Sequence, residues 1–151
     1  MTANAPLAAG ALAPELPLDD AAAQSARAAG VFVCFLPLAY APVCGEDVRQ
    51  LARAAAEVGA PRRPLLVVSV DAAEHGRRFL KDLDAGALTH VSDPQLALAA
   101  AFGVARREGI CERATFLLAP DRRVVAGAVH PIGFPRPLAL LREWLARSGL
   151  S

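Results

Sequence analysis

The stretch VFVCFLPLAYAPVCGEDVRQL, residues 31–51, decides the fold predicted for this chain. It starts as an unbroken apolar run, which predicts a buried strand, and then crosses a loop that holds Pro37 and Pro42. From Cys44 onward the apolar residues recur at intervals of three and four, which predicts a helix to about Val58. The pattern therefore places Cys44 at a helix N-terminus, where free backbone N–H groups and the helix dipole favour a thiolate.

Two further units of strand and helix follow this stretch. Residues 65–70 form an apolar run that predicts a second strand of the same sheet, and residues 89–91 are predicted to form a short strand. Asp71 follows the first of these strands, and Ser92 and Asp93 follow the second. They are predicted to cap the next helices, the second of which runs through Phe102 and stops at Gly103.

The C-terminal part of the chain has a different pattern. Residues 114–119 and 123–129 flank a Pro-Asp turn, which predicts an antiparallel hairpin, and an amphipathic helix around Trp144 comes last. The order β-α-β-α-β-α-β-β-α predicts an α/β, thioredoxin-like fold, with helices on both faces of a mixed central sheet. We predict a flexible N-terminal arm over residues 1–13 and one domain over residues 14–151.

Composition excludes several classes of function. The chain has 151 residues and a net charge of +1, without a basic patch or aromatic ladder, so no nucleic-acid partner is expected. The longest apolar run, residues 31–43, holds two prolines and is shorter than the ~20 residues of a membrane span, so no membrane association is expected. Three cysteines without framework spacing, and no basic residue before Arg27, lead us to expect a reducing, cytoplasmic location.

Topology predicts that a distant arginine lies near Cys44. In the expected sheet, the first strand of the hairpin runs antiparallel beside the strand at residues 31–36. The start of one strand then meets the end of the other, and Arg113 occupies that start. A permanently charged guanidinium beside a thiol favours the thiolate, which is the nucleophilic form.

These residues resemble the peroxiredoxin family. FLPLAYAPVC, residues 35–44, is similar to its signature, an aromatic-x-Pro lead-in followed by Pro-x-x-x-Thr-x-x-Cys, with Pro37 and Cys44 at matching positions. GALAPELPL, SVD followed by HGRRF, HVSDPQLALAAAFGV and RATFLL resemble further family segments in the same order. The resemblance covers nearly the whole chain, and the short connections are most similar to one-cysteine, alkyl-hydroperoxide-reductase-E-like members.

The resemblance implies a thiol peroxidase and a role for each matching residue. Cys44 would be the peroxidatic cysteine, which attacks hydrogen peroxide or an organic hydroperoxide and becomes a sulfenic acid. Arg113 would hold the thiolate and the peroxide oxygens, and Pro37 would shield the thiolate and shape the pocket. Asp47 stands where the family usually has Glu and would orient an arginine.

One position departs from the family signature. The signature threonine, whose hydroxyl donates to the thiolate or positions the peroxide, is Ala41 here. A lost hydrogen bond to a charged group costs roughly 1.5–3 kcal/mol, unless a water or the backbone N–H groups around Val43 and Cys44 replace it. An alternative function is therefore a catalytically weakened, peroxiredoxin-like redox sensor or interaction module.

The remaining predictions concern the other cysteines and the partners. Cys111 is a candidate resolving thiol, with an ordinary structural cysteine as the alternative, and Cys34 is expected to be a core residue. The resemblance implies no metal or organic cofactor. It implies an external reductant: a thioredoxin-, mycoredoxin- or glutaredoxin-like protein, or a low-molecular-weight thiol. By analogy with the family, a homodimer would form through the loops that hold Tyr40 and Phe134.

Overall fold

The computed structural model describes residues 5–150 and contains five strands and five α-helices within that range. The strands are β1 (Val31–Phe35), β2 (Leu65–Ser69), β3 (Thr89–Ser92), β4 (Arg113–Leu118) and β5 (Val124–His130). The helices are α1 (Asp20–Ala29), α2 (Cys44–Ala54), α3 (Ala73–Asp82), α4 (Ala97–Ala101) and α5 (Leu138–Ser148). No helix described between residues 5 and 150 is long and apolar enough to cross a membrane.

The strands form one mixed sheet in the order β3-β2-β1-β4-β5, which confirms the predicted α/β fold. The strands β1, β2 and β3 run parallel, because each is joined to the next by a helix that crosses over the sheet. The strand β4 runs antiparallel to both β1 and β5. In this register Phe35, at the end of β1, pairs with Ala114, so Arg113 lies at the same edge of the sheet as the loop after β1.

Side chains of β1 alternate between the two faces of the sheet and so contribute to two core layers. Cys34 belongs to the layer on the face that packs against α2 and α5, and this layer also contains Cys44. Phe35 belongs to the opposite layer, where its ring packs edge-on against the ring of Phe102. All five β1 residues are buried, as expected of the central strand.

The first helix shows how local sequence sets its ends. The Asp19 carboxylate accepts a hydrogen bond from the Ala22 N–H (2.8 Å), which caps the N-terminus of α1. Gly30 ends the helix, with a φ of 82°. A Cβ at this position would lie 2.4 Å from the Leu118 carbonyl oxygen, so the close approach of β4 requires glycine.

Two predicted helix boundaries differ in the structure. The helix that starts at Cys44 ends at Ala54 and continues as a 3₁₀ turn over Ala55–Val58, which Gly59 terminates in the left-handed conformation. The helix that was predicted to follow Asp93 and to end at Gly103 begins only at Ala97, several residues later than expected. Pro94 and its neighbour form a turn before it.

The two aspartates predicted to be helix caps behave differently. Asp93 does accept hydrogen bonds from the N–H groups of Leu98 (3.0 Å) and Ala99 (2.8 Å), at the start of α4. The prediction for Asp71 was wrong, because α3 has no side-chain cap. The Asp71 carboxylate instead accepts hydrogen bonds from the Ser69 hydroxyl (2.7 Å) and from the Ala39 N–H (2.8 Å), which lies in the loop after β1.

Part of the segment predicted as a flexible arm, residues 1–13, is hydrogen-bonded to the sheet. The Gly10 N–H donates to the Val124 carbonyl oxygen, and the Val124 N–H donates to the Ala11 carbonyl oxygen, both at 2.8 Å. This part of the segment therefore pairs with the start of the edge strand β5, whose outer N–H and C=O groups need partners. Residues 1–4 of the predicted arm lie outside the described range.

Candidate active site

Cys44 is the first residue of α2 and is fully buried, with 0% exposure. Its own N–H donates to the Ala41 carbonyl oxygen (3.1 Å), so that amide is not free to replace the missing threonine hydroxyl. The amides of Gly45 and Glu46 belong to the first helical turn and have no acceptor within the helix. The helix N-terminus therefore directs positive partial charge toward the thiol.

Val43, directly before the helix, has a strained backbone. Its φ of 75° lies in the left-handed region, which a β-branched residue rarely adopts. Strain of this kind costs ~1–3 kcal/mol and persists only where surrounding contacts impose it. Here it turns the chain sharply from the loop into α2, with Cys44 as the first helical residue.

Arg113 lies against Cys44, as the topology predicts. Its Nη2 donates to the Cys44 Sγ (3.3 Å) and to the Ile132 carbonyl oxygen (3.1 Å), and its Nη1 donates to the Asp47 carboxylate. The Arg113 side chain is buried, so these interactions are only weakly screened by water. The structure thus brings together Cys44, Asp47 and Arg113, although Cys44 and Arg113 are 69 positions apart in the sequence.

A second arginine, which sequence analysis missed, completes this cluster. The Arg136 Nε and Nη2 donate to the two Asp47 carboxylate oxygens at 2.8 and 2.9 Å, in the fork geometry typical of arginine. Burial raises the pKa of Asp47, but Arg136 and then Arg113 outweigh it and hold the pKa below its ordinary value. In the sequence Arg136 stands between two prolines of a loop, 89 positions from Asp47, and resembles any solvated loop charge.

The charges of this buried cluster do not balance without the thiol. Arg113 and Arg136 carry two positive charges and Asp47 carries one negative charge, and all three side chains are almost completely buried. An uncompensated charge in such surroundings is unfavourable. A thiolate at Cys44 would bring the net charge of the cluster to zero.

Arg113 also keeps one donor unused. Its Nε–H is buried and has no hydrogen-bond partner among residues 5–150. Buried donors are almost always paired, so an orphan beside a reactive group calls for an explanation. Arg113 therefore has one buried N–H group that could bind a further acceptor.

The loop between β1 and α2 is fastened to α3. Pro37 is buried, as its predicted shielding role requires, and Ala41 is partly buried. Tyr40 is 48% exposed, and its ring packs against that of Phe79 with centroids 4.9 Å apart. The Tyr40 hydroxyl also donates to the Asp82 carboxylate at the end of α3.

The other two cysteines are buried and free. Cys111 belongs to the opposite core layer from Cys44, and its Sγ donates to the Leu36 carbonyl oxygen (2.8 Å). Burial raises the pKa of Cys111 to about 12 and the pKa of Cys34 to about 11. The structure therefore does not bring Cys111 into contact with Cys44. The thiols of Cys34 and Cys111 are both in the unreactive protonated form.

Comparison with known proteins identifies the family. Residues 10–126 match the AhpC/TSA family over most of the chain, and the protein belongs to that family. No curated protein matches the chain at a significant level. Within residues 5–150, no group of three or more histidine, cysteine or acidic side chains is arranged to hold a metal ion.

Several solved structures share the fold. AhpC of Enterococcus faecalis is 21% identical, with a TM-score of 0.71, and the match covers 80% of this chain and 75% of that one. A cysteine-to-serine mutant of the peroxiredoxin 6 of Arenicola marina is 15% identical, with a TM-score of 0.78 and coverage of 94% and 74%. Reduced Prx3 of Vibrio vulnificus, in complex with H2O2, is 16% identical, with a TM-score of 0.74 and coverage of 91% and 99%.

Proposed function

We propose that this protein is a thiol-dependent peroxidase that reduces hydrogen peroxide or an organic hydroperoxide through Cys44. The observation that carries the proposal is the hydrogen bond from Arg113 to the Cys44 Sγ, inside a buried cluster with one positive charge in excess. Membership of the AhpC/TSA family supports the same reaction class. Within the family, the one-cysteine, alkyl-hydroperoxide-reductase-E-like type is the proposed subtype.

The proposed reaction is a nucleophilic displacement at oxygen. The Cys44 thiolate attacks one peroxide oxygen, an S–O bond forms, and the O–O bond breaks. The leaving oxygen takes a proton from solvent and departs as water or an alcohol, while the sulfur becomes a sulfenic acid. Arg113 would stabilise the charge that develops on the oxygens, and its unpartnered Nε–H is a suitable donor.

The buried thiol sets a condition on substrate entry. Since Cys44 has no exposed surface, side chains around it must move before a peroxide can touch the Sγ. The flanking loops carry exposed apolar side chains, with Leu38 before the helix and Ile132 and Phe134 after β5. We propose that these loops form the entrance, and that they are the surface through which a homodimer would form.

An external thiol is the proposed reductant. The thiols of Cys34 and Cys111 are buried and protonated, whereas attack on a sulfenic acid requires a thiolate. A small thiol or a thioredoxin-, mycoredoxin- or glutaredoxin-like protein would form a mixed disulfide with Cys44 and release water. A second thiol would then free the Cys44 thiolate and leave as the disulfide.

Stopped-flow mixing of the reduced protein with hydrogen peroxide or cumene hydroperoxide tests the proposal. We expect rapid oxidation that is absent in Cys44→Ser and retained in Cys34→Ser, with mass spectrometry locating the added oxygen on Cys44. A rate no faster than that of a free cysteine at the same pH would contradict the enzymatic proposal.

Restoring the signature threonine should increase the rate. In Ala41→Thr a hydroxyl returns to the loop before Cys44, and one hydrogen bond to a charged group is worth roughly 1.5–3 kcal/mol. We expect a gain of about 10-fold or more in the second-order rate constant with peroxide. Ala41→Val, which has the same shape without the hydroxyl, is the control and should show no gain. Equal rates in both variants would show that the hydroxyl has no role here.

A further inference from the structure

The buried polar cluster continues from Arg136 to two further side chains, Thr115 and His130. The Arg136 Nη1 donates to the Thr115 Oγ1 (3.0 Å), and the Thr115 Oγ1 lies 2.9 Å from the His130 Nε2. Thr115 is completely buried in β4, and His130, at the end of β5, is only 7% exposed. An uninterrupted series of contacts therefore joins His130 to Cys44.

The chemistry of the donors assigns the direction of each bond. All five N–H groups of Arg136 have acceptors: both Asp47 oxygens, the carbonyl oxygens of Phe35 and Ala114, and the Thr115 hydroxyl. Arginine only donates, so Thr115 accepts from Arg136 and its own hydrogen needs another acceptor. Among the described residues that acceptor is the His130 Nε2, which must then carry no proton.

The surroundings of His130 keep its ring neutral. Burial is the main cause that lowers the pKa of His130 to about 4; the positive charges of Arg136 and Arg113 act in the same direction, and Asp47 opposes them. The charged groups that act on the ring thus come from α2, from β4 and from the loop before α5. At neutral pH the Nε2 remains a hydrogen-bond acceptor for Thr115.

We propose that Thr115 and His130 are positioning residues for the cysteine site, a role that rests on the proposed function of Cys44. His130 orients the Thr115 hydroxyl so that its lone pairs face Arg136. Arg136 holds both oxygens of Asp47, and Asp47 holds the Arg113 guanidinium against the thiol. Loss of the hydroxyl leaves a buried Arg136 N–H without an acceptor, which the arginine can relieve only by shifting away from Asp47.

Two substitutions at Thr115 test this role. Thr115→Val keeps the shape and removes the hydroxyl, and Thr115→Ser keeps the hydroxyl. We expect the valine variant to oxidise with hydrogen peroxide roughly 10-fold more slowly at pH 7, and the serine variant to stay within about 3-fold of the natural protein. Circular dichroism and a melting curve confirm that each variant is folded before its rate is compared.

Alkylation separates this proposal from the proposed function. Iodoacetamide reacts with the thiolate and needs no peroxide site, so it reports on Arg113 even if peroxide is not the substrate. We expect the pH profile of Cys44 alkylation to move to higher pH in Thr115→Val and to return in Thr115→Ser, both measured in a Cys34→Ser, Cys111→Ser background. A folded valine variant with an unchanged profile would overturn the positioning role, whatever the peroxide rate.

The His130 arm of the test uses a pair of variants and the acid side of the stability curve. His130→Gln retains an acceptor for Thr115 and should keep the alkylation profile, whereas His130→Leu should shift it as Thr115→Val does.

The neutral ring also predicts a loss of stability in acid. Below pH 6.5 the histidine of the unfolded chain binds a proton, whereas the histidine of the folded protein stays unprotonated until about pH 4. The melting temperature should therefore fall more between pH 7 and 4.5 in the natural protein than in His130→Gln. Equal losses would contradict the neutral, accepting histidine.

Discussion

Replacing Asp47 with asparagine is expected to lower the free energy of unfolding by ~3–5 kcal/mol, which is typical when one member of a buried ion cluster loses its charge. Asp47 is fully buried and is the acceptor for side-chain hydrogen bonds from both Arg113 and Arg136. Without the carboxylate charge, Arg113 and Arg136 would be two buried cations facing each other. The NH₂ group of the asparagine would also face arginine N–H groups, and two donors cannot form a hydrogen bond with each other. Urea denaturation monitored by circular dichroism at pH 7 measures the loss.

The neighbouring carboxylate provides a matched control. Glu46 lies in the same helical turn but is exposed, and its contacts with Arg49 and Gln50 are surface contacts. Glu46→Gln should change the stability by less than ~1 kcal/mol. A double variant, Asp47→Asn with Arg113→Met, removes one of the two unbalanced cations and should recover part of the lost stability. If Asp47→Asn behaved like Glu46→Gln, the charge balance described for the cluster would be incorrect.

Replacing Arg113 with methionine is expected to slow the oxidation of Cys44 by peroxide about 10²- to 10³-fold, the usual effect of removing a preorganised donor from developing negative charge. The substitution removes the cation 3.3 Å from the Sγ and also the unpartnered Nε–H. Asp47 keeps both bonds from Arg136, so the fold should survive. Stopped-flow kinetics with hydrogen peroxide and with cumene hydroperoxide measures the effect.

Controls for this prediction separate charge from geometry. Arg107→Met removes an exposed arginine from the loop before β4 and should leave the rate unchanged. Arg113→Lys keeps the charge but loses the planar fork, so an intermediate rate is expected. A rate for Arg113→Met within 3-fold of that of the natural protein would exclude Arg113 from the reaction.

Much of the fold was predictable from local patterns, because those patterns reflect short-range geometry. The apolar run of β1, the change to helical spacing at Cys44 and the turn before β5 each appear in consecutive residues. The proximity of Arg113 to Cys44 was also predictable, since the direction of β4 beside β1 follows from the order of the elements. The role of Asp71 was not, because an aspartate after a strand has the same local pattern whether it caps a helix or binds a distant loop amide.

The sequence by itself determined the mixed sheet, the helix N-terminus at Cys44 and the arginine opposite it, because periodicity and strand order constrain the path of the backbone. Only the tertiary structure decided which side chains share the buried cluster. Arg136 comes from a proline-rich loop and His130 from the end of an edge strand, and neither carries a local signal of its partner. A buried charge is stable only where partners from several distant segments meet around it, and such a meeting exists only after the chain has folded.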